Sequence, residues 1–407
     1  MNSNGAENRI VDAVVIGGGP AGLTAAIALA VAGVETALVA KPAQPDSRTT
    51  ALLAGSVRAL ETLGVWKRCR AHAAPLEILR IVDDRPGLLR APEVAFAAAE
   101  IGLEAFGHNI ENRHLTVALE TRAAELGTLA IVTASAEQIA VTGQRVTVVM
   151  SGGGRVHARL AIGADGRHSL ARAATGTAID ARSYPQTALA LNFAHSRPHG
   201  NASTEFHTRT GPFTLVPLPG RRSSLVWVVE PPEAAALAAQ DDATLAAEIE
   251  RRSHSILGKI SVEPGRGAFP LAIATAHTFG SNRIALIGEA AHVMPPIGAQ
   301  GLNLGLRDAA MIAELAIDAR RAGTDIGSPD LLARYDELRR GDVASRTMAI
   351  DLLNRSLLSD FLPLAGLRGF GLYLLDRVGP LRRTLMREGV TPRAGTPRLM
   401  RGEPLPS

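Results

Sequence analysis

Between Asp12 and Ala40 the chain alternates apolar blocks with short punctuation: DAVVI, then GGGPAG, then LTAAIALAVA, then Gly33, then ETALVA. Residues 12–16 and 35–39 have strand length. Residues 20–32 have helix length, with Pro20 tolerated in the first turn and Gly33 as a stop. All three runs are apolar on nearly every side, which predicts a strand–helix–strand unit in a sheet covered on both faces. Residues 56–66 (SVRALETLGVW) read as a capped amphipathic helix and 111–126 (ENRHLTVALETRAAEL) as another. Residues 145–150 and 155–163 read as a hairpin around the SGGG turn at 151–154. From 185 to 270 strand-like runs dominate (TALALNFAH, PFTLVPLP, SSLVWVVEP), with one helical piece, ATLAAEIERRSHSIL. The α/β pattern returns at RIALIGEAAH, and from Ser328 onward the chain reads as mostly helical.

This order predicts an α/β protein with a Rossmann-like domain interrupted by a sheet-rich insertion. The nucleotide-binding domain is expected over 1–75, 101–180 and 271–327, the β-sheet substrate domain over 76–100 and 181–270, and a helical C-terminal region over 328–407. A chain of 407 residues exceeds what one core usually serves, which agrees with such a division.

Gly17, Gly19 and Gly22 form G-x-G-x-x-G between the first strand and the helix. The first glycine permits the tight turn, the second lets a pyrophosphate approach the backbone, and the third lets helix and strand pack closely. The helix start supplies unpaired N–H groups and partial positive charge. The acid expected about 20 residues further on, for a ribose hydroxyl, is missing. Ala40 stands there, so a charged hydrogen bond of roughly 1.5–3 kcal/mol is not available from that position.

Composition narrows the partners. Aromatic residues make up 3% of the chain, too few for nucleic-acid recognition by stacking. The formal charge of +4 is concentrated at the end, where Leu331 to Ser407 holds 13 Lys/Arg against 8 Asp/Glu. No nucleic-acid partner is expected from this balance. Cys69 is the only cysteine, which excludes an intrachain disulfide and a Cys-based metal site and fits a reducing compartment. The first ten residues lack the apolar core of a secretory signal, so a cytoplasmic location is expected.

Two further motifs follow. AIGADGRHSLAR (161–172) places Asp165, Gly166, Ser169 and Arg172 as D-G-x-x-S-x-x-R, by itself a strand–turn–helix junction with Ser169 as the cap. GEAAHVMPPIGAQGLNLGLRD (288–308) sets Glu289 beside a Gly/Pro-rich turn ahead of a helix.

Taken in order, these pieces resemble the para-hydroxybenzoate-hydroxylase-type flavoprotein monooxygenases, and most of all their ubiquinone-biosynthesis hydroxylase branch. The likeness includes RTTALLAGSVRALETLGVW (48–66), Asn112, Arg113 and Leu115 as N-R-x-L, and a C-terminal run from LNRS to MRE over 353–388. It covers nearly the whole chain.

The resemblance implies non-covalent FAD, with NAD(P)H as a transient reductant. Gly17, Gly19 and Gly22 would face the pyrophosphate, and Arg48 and Arg113 would support the phosphates or the flavin. Asp165 would sit near FAD. Gly288 opens the turn, and Glu289 takes the place of the family's aspartate, which holds the ribityl chain. Gly301 leaves room for the ring. Leu302 and Asn303 would start the helix whose N–H groups face the flavin's pyrimidine edge, where a helix N-terminus stabilises the charge of reduced flavin. His292 is read as packing.

The implied reaction is hydroxylation of an electron-rich aromatic ring, with a polyprenylated phenol or quinol of ubiquinone biosynthesis as substrate. The flavin carries the hard chemistry, so no catalytic side chain is assigned and no metal is expected. A related flavin reductase or halogenase, or a flavin-weak scaffold in a biosynthetic complex, is the alternative. The halogenase segment W-x-W-x-I-P is not supplied by VWVVEPP (226–232). In the C-terminal region, Leu353, Leu357, Phe361, Leu364, Phe370, Leu374 and Val378 recur amid Arg355, Arg368, Arg377, Arg382, Arg383 and Arg387. Such a stripe suits packing on the main body or a partner, or a peripheral membrane contact.

Overall fold

The computed structural model describes residues 8–42, 46–85, 93–358, 382–384, 386–387 and 395–406. Strands Ala13–Ile16 and Thr36–Ala40 pair in parallel, joined by the helix Pro20–Val31. They lie inside a six-stranded sheet ordered Gly280–Ser281, Ile284–Leu286, Leu160–Gly163, Ala13–Ile16, Thr36–Ala40, Leu129–Thr133. Every pairing in it is parallel except the one at the Gly280–Ser281 edge. The helix Pro20–Val31 packs on this sheet, and the helix Gln300–Arg321 packs along Pro20–Val31. Residues 22–30 of the first helix are all buried, which is why it shows no polar stripe.

A nine-stranded sheet forms the second body. Its main path runs from His292–Val293 through Gly267–Ala276, Ile179–His195, Arg222–Val229, Pro212–Leu218, Ala202–His207 and Ile78–Asp83 to Val94–Ala97. One face buries Leu189, Leu191, Phe193, Phe213, Leu225 and Trp227 beneath the helices Pro231–Ala239 and Asp242–Arg252. By the two-residue pleat, Asn192, Ser224, Thr214 and Glu205 point the other way. That opposite face meets the first body: Asn192 Nδ2 donates to Ser47 O at 3.1 Å, and Thr49 Oγ1 donates to Ser224 Oγ at 2.9 Å. The two-residue strand His292–Val293 joins the sheet through Ala274 and Thr275, just after the turn at Gly288.

Three local expectations need correction. The helix expected over 56–66 runs from Ala54 to Thr62, and Trp66–Cys69 forms a separate turn after Gly64, at φ +75°. Ser56 does not cap it, because its hydroxyl donates to Asn303 Oδ1. The strand expected over 155–163 is two strands. Arg155–Ala158 pairs with 145–150, whereas Leu160–Gly163 crosses into the parallel sheet after Arg159, whose N–H goes to Asp12 O. An apolar alternation does not show a change of partner. The helix Pro231–Ala239 follows directly on a strand and lies outside the sequence expectations, although its Pro start and alanine-rich run, with Glu233 in the first turn, are helix signals.

Near the C-terminus the helix Pro329–Leu358 spans 30 residues. The side chains of Leu353, Arg355 and Leu357, and all of Phe361, Leu364, Arg368, Phe370, Leu374, Arg377 and Val378, lie outside the described residues. Arg382 is not part of a surface stripe: it is buried, pairs with both oxygens of Glu100 at 2.7 Å and lies over Phe96. Arg383 and Arg387 are exposed. Among the described residues no helix is long and apolar enough to cross a membrane.

Candidate functional site

The three glycines of the first turn do different work. A Cβ on Gly17 would lie 2.2 Å from Ala164 O, and one on Gly22 would lie 2.1 Å from Gly17 O. Gly22 closes the strand–helix turn on itself, and Gly17 lets that turn pack against Ala164 at the end of the neighbouring strand Leu160–Gly163. A Cβ on Gly19 would meet nothing within 4 Å. Gly19 is the N-cap residue, and no side chain caps the helix. The start of the helix is therefore an open, glycine-floored cradle with unpaired N–H groups, suited to an anion. Ala40 ends the neighbouring strand beside Gly18 and offers no acceptor to a ligand there.

A second helix start has the same character. The helix expected to begin at Leu302 and Asn303 begins at Gln300, so Gly301 lies in its first turn rather than ahead of it. The break before it comes from Gly298 and Ala299, both left-handed, at φ +66° and +54°. No side chain caps this end either, and a Cβ on Gly301 would meet open space. Asn303 docks the helix start onto the segment 51–56. Its Oδ1 accepts from Leu53 N at 2.8 Å and Ser56 Oγ at 2.7 Å, and its Nδ2 donates to Ala51 O at 2.8 Å and to Ala299 O. Leu302 is half-buried against the core.

Gly288, at φ +58°, lets the 288 turn lie close to Gly305 and Ala21, and so ties both helices to one spot. The next residue, Glu289, is exposed, with its carboxylate 3.5 Å from Arg167 Nε. Arg48 forks onto Asp46 with two 2.8 Å bonds and lies 5.2 Å over the ring of Phe269. The Asp46 bond, with help from Glu289, raises the Arg48 pKa. Burial works against the Asp46 carboxylate, but bonds from Arg48 and Asn112 outweigh it and hold its pKa below the usual value. Asn112 N donates to Arg48 O at 2.9 Å, which brings the start of the Arg113 helix beside Arg48. Arg113 itself is exposed and pairs with Glu111 at 2.9 Å.

Asp165 spends both oxygens on the junction. Oδ1 accepts from Ser169 Oγ at 2.5 Å and Oδ2 from Ala171 N at 3.0 Å, while Ser169 Oγ caps Arg172 N at 2.8 Å.

A buried charge network was not anticipated. Asp308 Oδ2 accepts from Gly288 N at 3.0 Å and lies 2.6 Å from His292 Nε2; its Oδ1 accepts from Arg339 Nε at 2.7 Å. Burial alone would raise the Asp308 pKa, but His292 and Arg339 pull it below the ordinary value. Asp308 stands in the quoted motif, yet Arg339 is one of many arginines in a helical region, and nothing local marks it.

Comparisons with known proteins add the family. The sequence model described as "FAD binding domain" matches residues 10–349. The chain is 36% identical to the ubiquinone hydroxylase UbiL of Rhodospirillum rubrum, over 98% of this chain and 95% of that one. It is 30% identical to the 3-demethoxyubiquinol 3-hydroxylase of Escherichia coli, over 93% and 98%. Its fold is similar to that of the p-nitrophenol 4-monooxygenase PnpA of Pseudomonas putida, with a TM-score of 0.77, 20% identity and coverage of 94% and 98%. It is also similar to Klebsiella pneumoniae HpxO complexed with FAD and uric acid, with a TM-score of 0.74, 19% identity and coverage of 94% and 97%.

Proposed function

The chain belongs to the FAD binding domain family, and on that premise we propose that it hydroxylates the ring of a polyprenylated phenol or quinol intermediate of ubiquinone biosynthesis, using NAD(P)H and O2. It is an FAD-dependent hydroxylase by family and by its relatives. The observation that carries the reading is the pair of uncapped helix starts, each with a glycine open to ligand: Gly19 at one and Gly301 at the other. A dinucleotide with an anionic centre and an electron-accepting ring suits two such helix starts that both pack against the 288 turn.

In this reading Gly17, Gly19 and Gly22 shape the pyrophosphate cradle, with Arg48 and Arg113 near the phosphates. Gly288 and Glu289 face the ribityl chain, and Asp165 holds the junction beside it. Gly301, Leu302 and Asn303 belong to the helix start that serves the pyrimidine edge. When bound, FAD supplies the redox step and the activation of O2. The chain's own part is to bind, to orient and to exclude water. The helix start at Gln300 adds partial positive charge where the reduced ring gathers negative charge. The sheet face carrying Thr214 and Val226, on the side away from the Trp227 core, would lie along the ring of the substrate. The experiment is to add FAD to the purified chain, record its visible spectrum, and follow NAD(P)H oxidation with a short-chain prenylated phenol. Bound flavin and a product heavier by one oxygen support the proposal. A chain that takes up no flavin overturns it.

A further inference from the structure

Two consecutive left-handed residues precede the helix Gln300–Arg321, and the second is alanine: Ala299, at φ +54°, ψ +30°. Glycine takes this conformation freely, whereas alanine pays about 1–2 kcal/mol for it. Such a turn persists only where its surroundings over-determine it. Here two side chains pin its carbonyls: Gln300 Nε2 donates to Gly298 O at 3.1 Å, and Asn303 Nδ2 donates to Ala299 O. Asn303 is buried and fixed by its other bonds. Gln300 is not fixed by its own helix. It is held from the helix Pro329–Leu358, where Arg346 Nη1 donates to its Oε1 at 2.9 Å.

Arg346 is aimed in turn by Asp342, whose Oδ1 accepts from its Nε at 2.9 Å. Asp342 also accepts from Arg307 Nη1 at 2.9 Å and Arg339 Nη1 at 2.6 Å. Burial opposes its charge, but three guanidinium groups dominate and hold its carboxyl far below the usual range. Arg339 then continues to Asp308, Gly288 N and His292. One ion network thus grips the segment 288–300 at both ends, through Asp308 at its start and through Arg346 at its end.

We propose that Arg346 is a positioning residue for the flavin: through Gln300 it holds the 298–299 turn in the shape that aims the first N–H groups of the helix at the flavin's pyrimidine edge. This rests on the reading of that helix start as a flavin site. The role is separable from folding, because Asp342 keeps Arg307 and Arg339 when Arg346 is removed. Three guanidinium groups against the carboxylates of Asp342 and Asp308 also leave a net positive charge near the helix start, which favours reduced, anionic flavin.

The test uses the full chain with Arg346→Met. The apoprotein should stay folded with a modest fall in melting temperature, because Asp342 keeps two cations, while the FAD dissociation constant rises about tenfold, or about 1.4 kcal/mol. Reduced FAD should weaken by about a further tenfold, which lowers the two-electron midpoint potential by about 30 mV. Arg346→Lys keeps the charge but not the fork, so it should restore the potential more than the affinity. If Arg346→Met does not fold, Gln300→Met breaks the same link from the other side and should show the same loss of affinity. Wild-type affinity and potential in either folded variant overturn the proposal. A wild-type chain that takes up no FAD removes the flavin reading, and this proposal with it.

Discussion

Arg339 Nε donates to Asp308 Oδ1 at 2.7 Å, with both side chains essentially sealed from solvent. The pair joins the helix Gln300–Arg321 to the helix Pro329–Leu358 directly behind the 288 turn. Removing one member of such a pair leaves a buried charge unpaired, so Arg339→Met should cost about 3–5 kcal/mol in chemical denaturation. A loss below about 1 kcal/mol would mean that the pair is exposed in solution.

The same carboxylates set an acid limit. Asp308 and Asp342 have folded pKa values below their unfolded ones. The folded chain therefore binds fewer protons at these sites, and their contribution to stability is full above the unfolded carboxyl pKa of about 4 and is lost as pH falls through the folded values. Melting temperatures measured from pH 6 down to pH 3 should fall, with a shallower slope in Asp308→Asn.

Gly19 and Gly22 separate binding from folding. Gly19→Val should leave the melting temperature of the apoprotein unchanged and weaken FAD by about a hundredfold, or about 2.7 kcal/mol. Gly22→Ala drives a methyl into Gly17 O and should destabilise the apoprotein itself. Equal behaviour of the two variants in melting and in flavin-fluorescence titration would contradict the cradle.

Glu289 stands where the resembled family carries aspartate, and its carboxylate extends about 1.5 Å further. Glu289→Asp should tighten FAD binding. An unchanged or weaker affinity in the same titration would show that the glutamate is accommodated.

Cys69 is buried, and burial pushes its thiol up to about 11. It should resist alkylation at pH 8 in the folded chain and react once the chain is unfolded in denaturant. Rapid labelling of the folded chain would place it at the surface.

Much of the frame was legible because it is local. The strand–helix–strand unit at 13–40 shows as apolar blocks, and the tight turn between Gly17 and Gly22 follows from chain geometry, whereas the contact of Gly17 with Ala164 does not. Asp165 and Ser169 form the strand–turn–helix junction that their spacing suggests. What was not legible depends on partners far apart in the chain. Ser56 looks like a cap, but its hydroxyl is taken by Asn303. Arg382 looks like a surface cation, but it is buried over Phe96 and pairs with Glu100, 282 positions away. Arg346 and Gln300 carry no local sign of their bond at all.

The proposed reaction is ring hydroxylation by the flavin-loaded chain. Its most direct measurement is the mass of the product when FAD-loaded protein turns over a short-chain prenylated phenol with NAD(P)H under 18O2. A product carrying one 18O atom on the ring is predicted. NAD(P)H oxidation that yields only hydrogen peroxide, with the phenol recovered unchanged across the prenylated phenols and quinols tried, would contradict it.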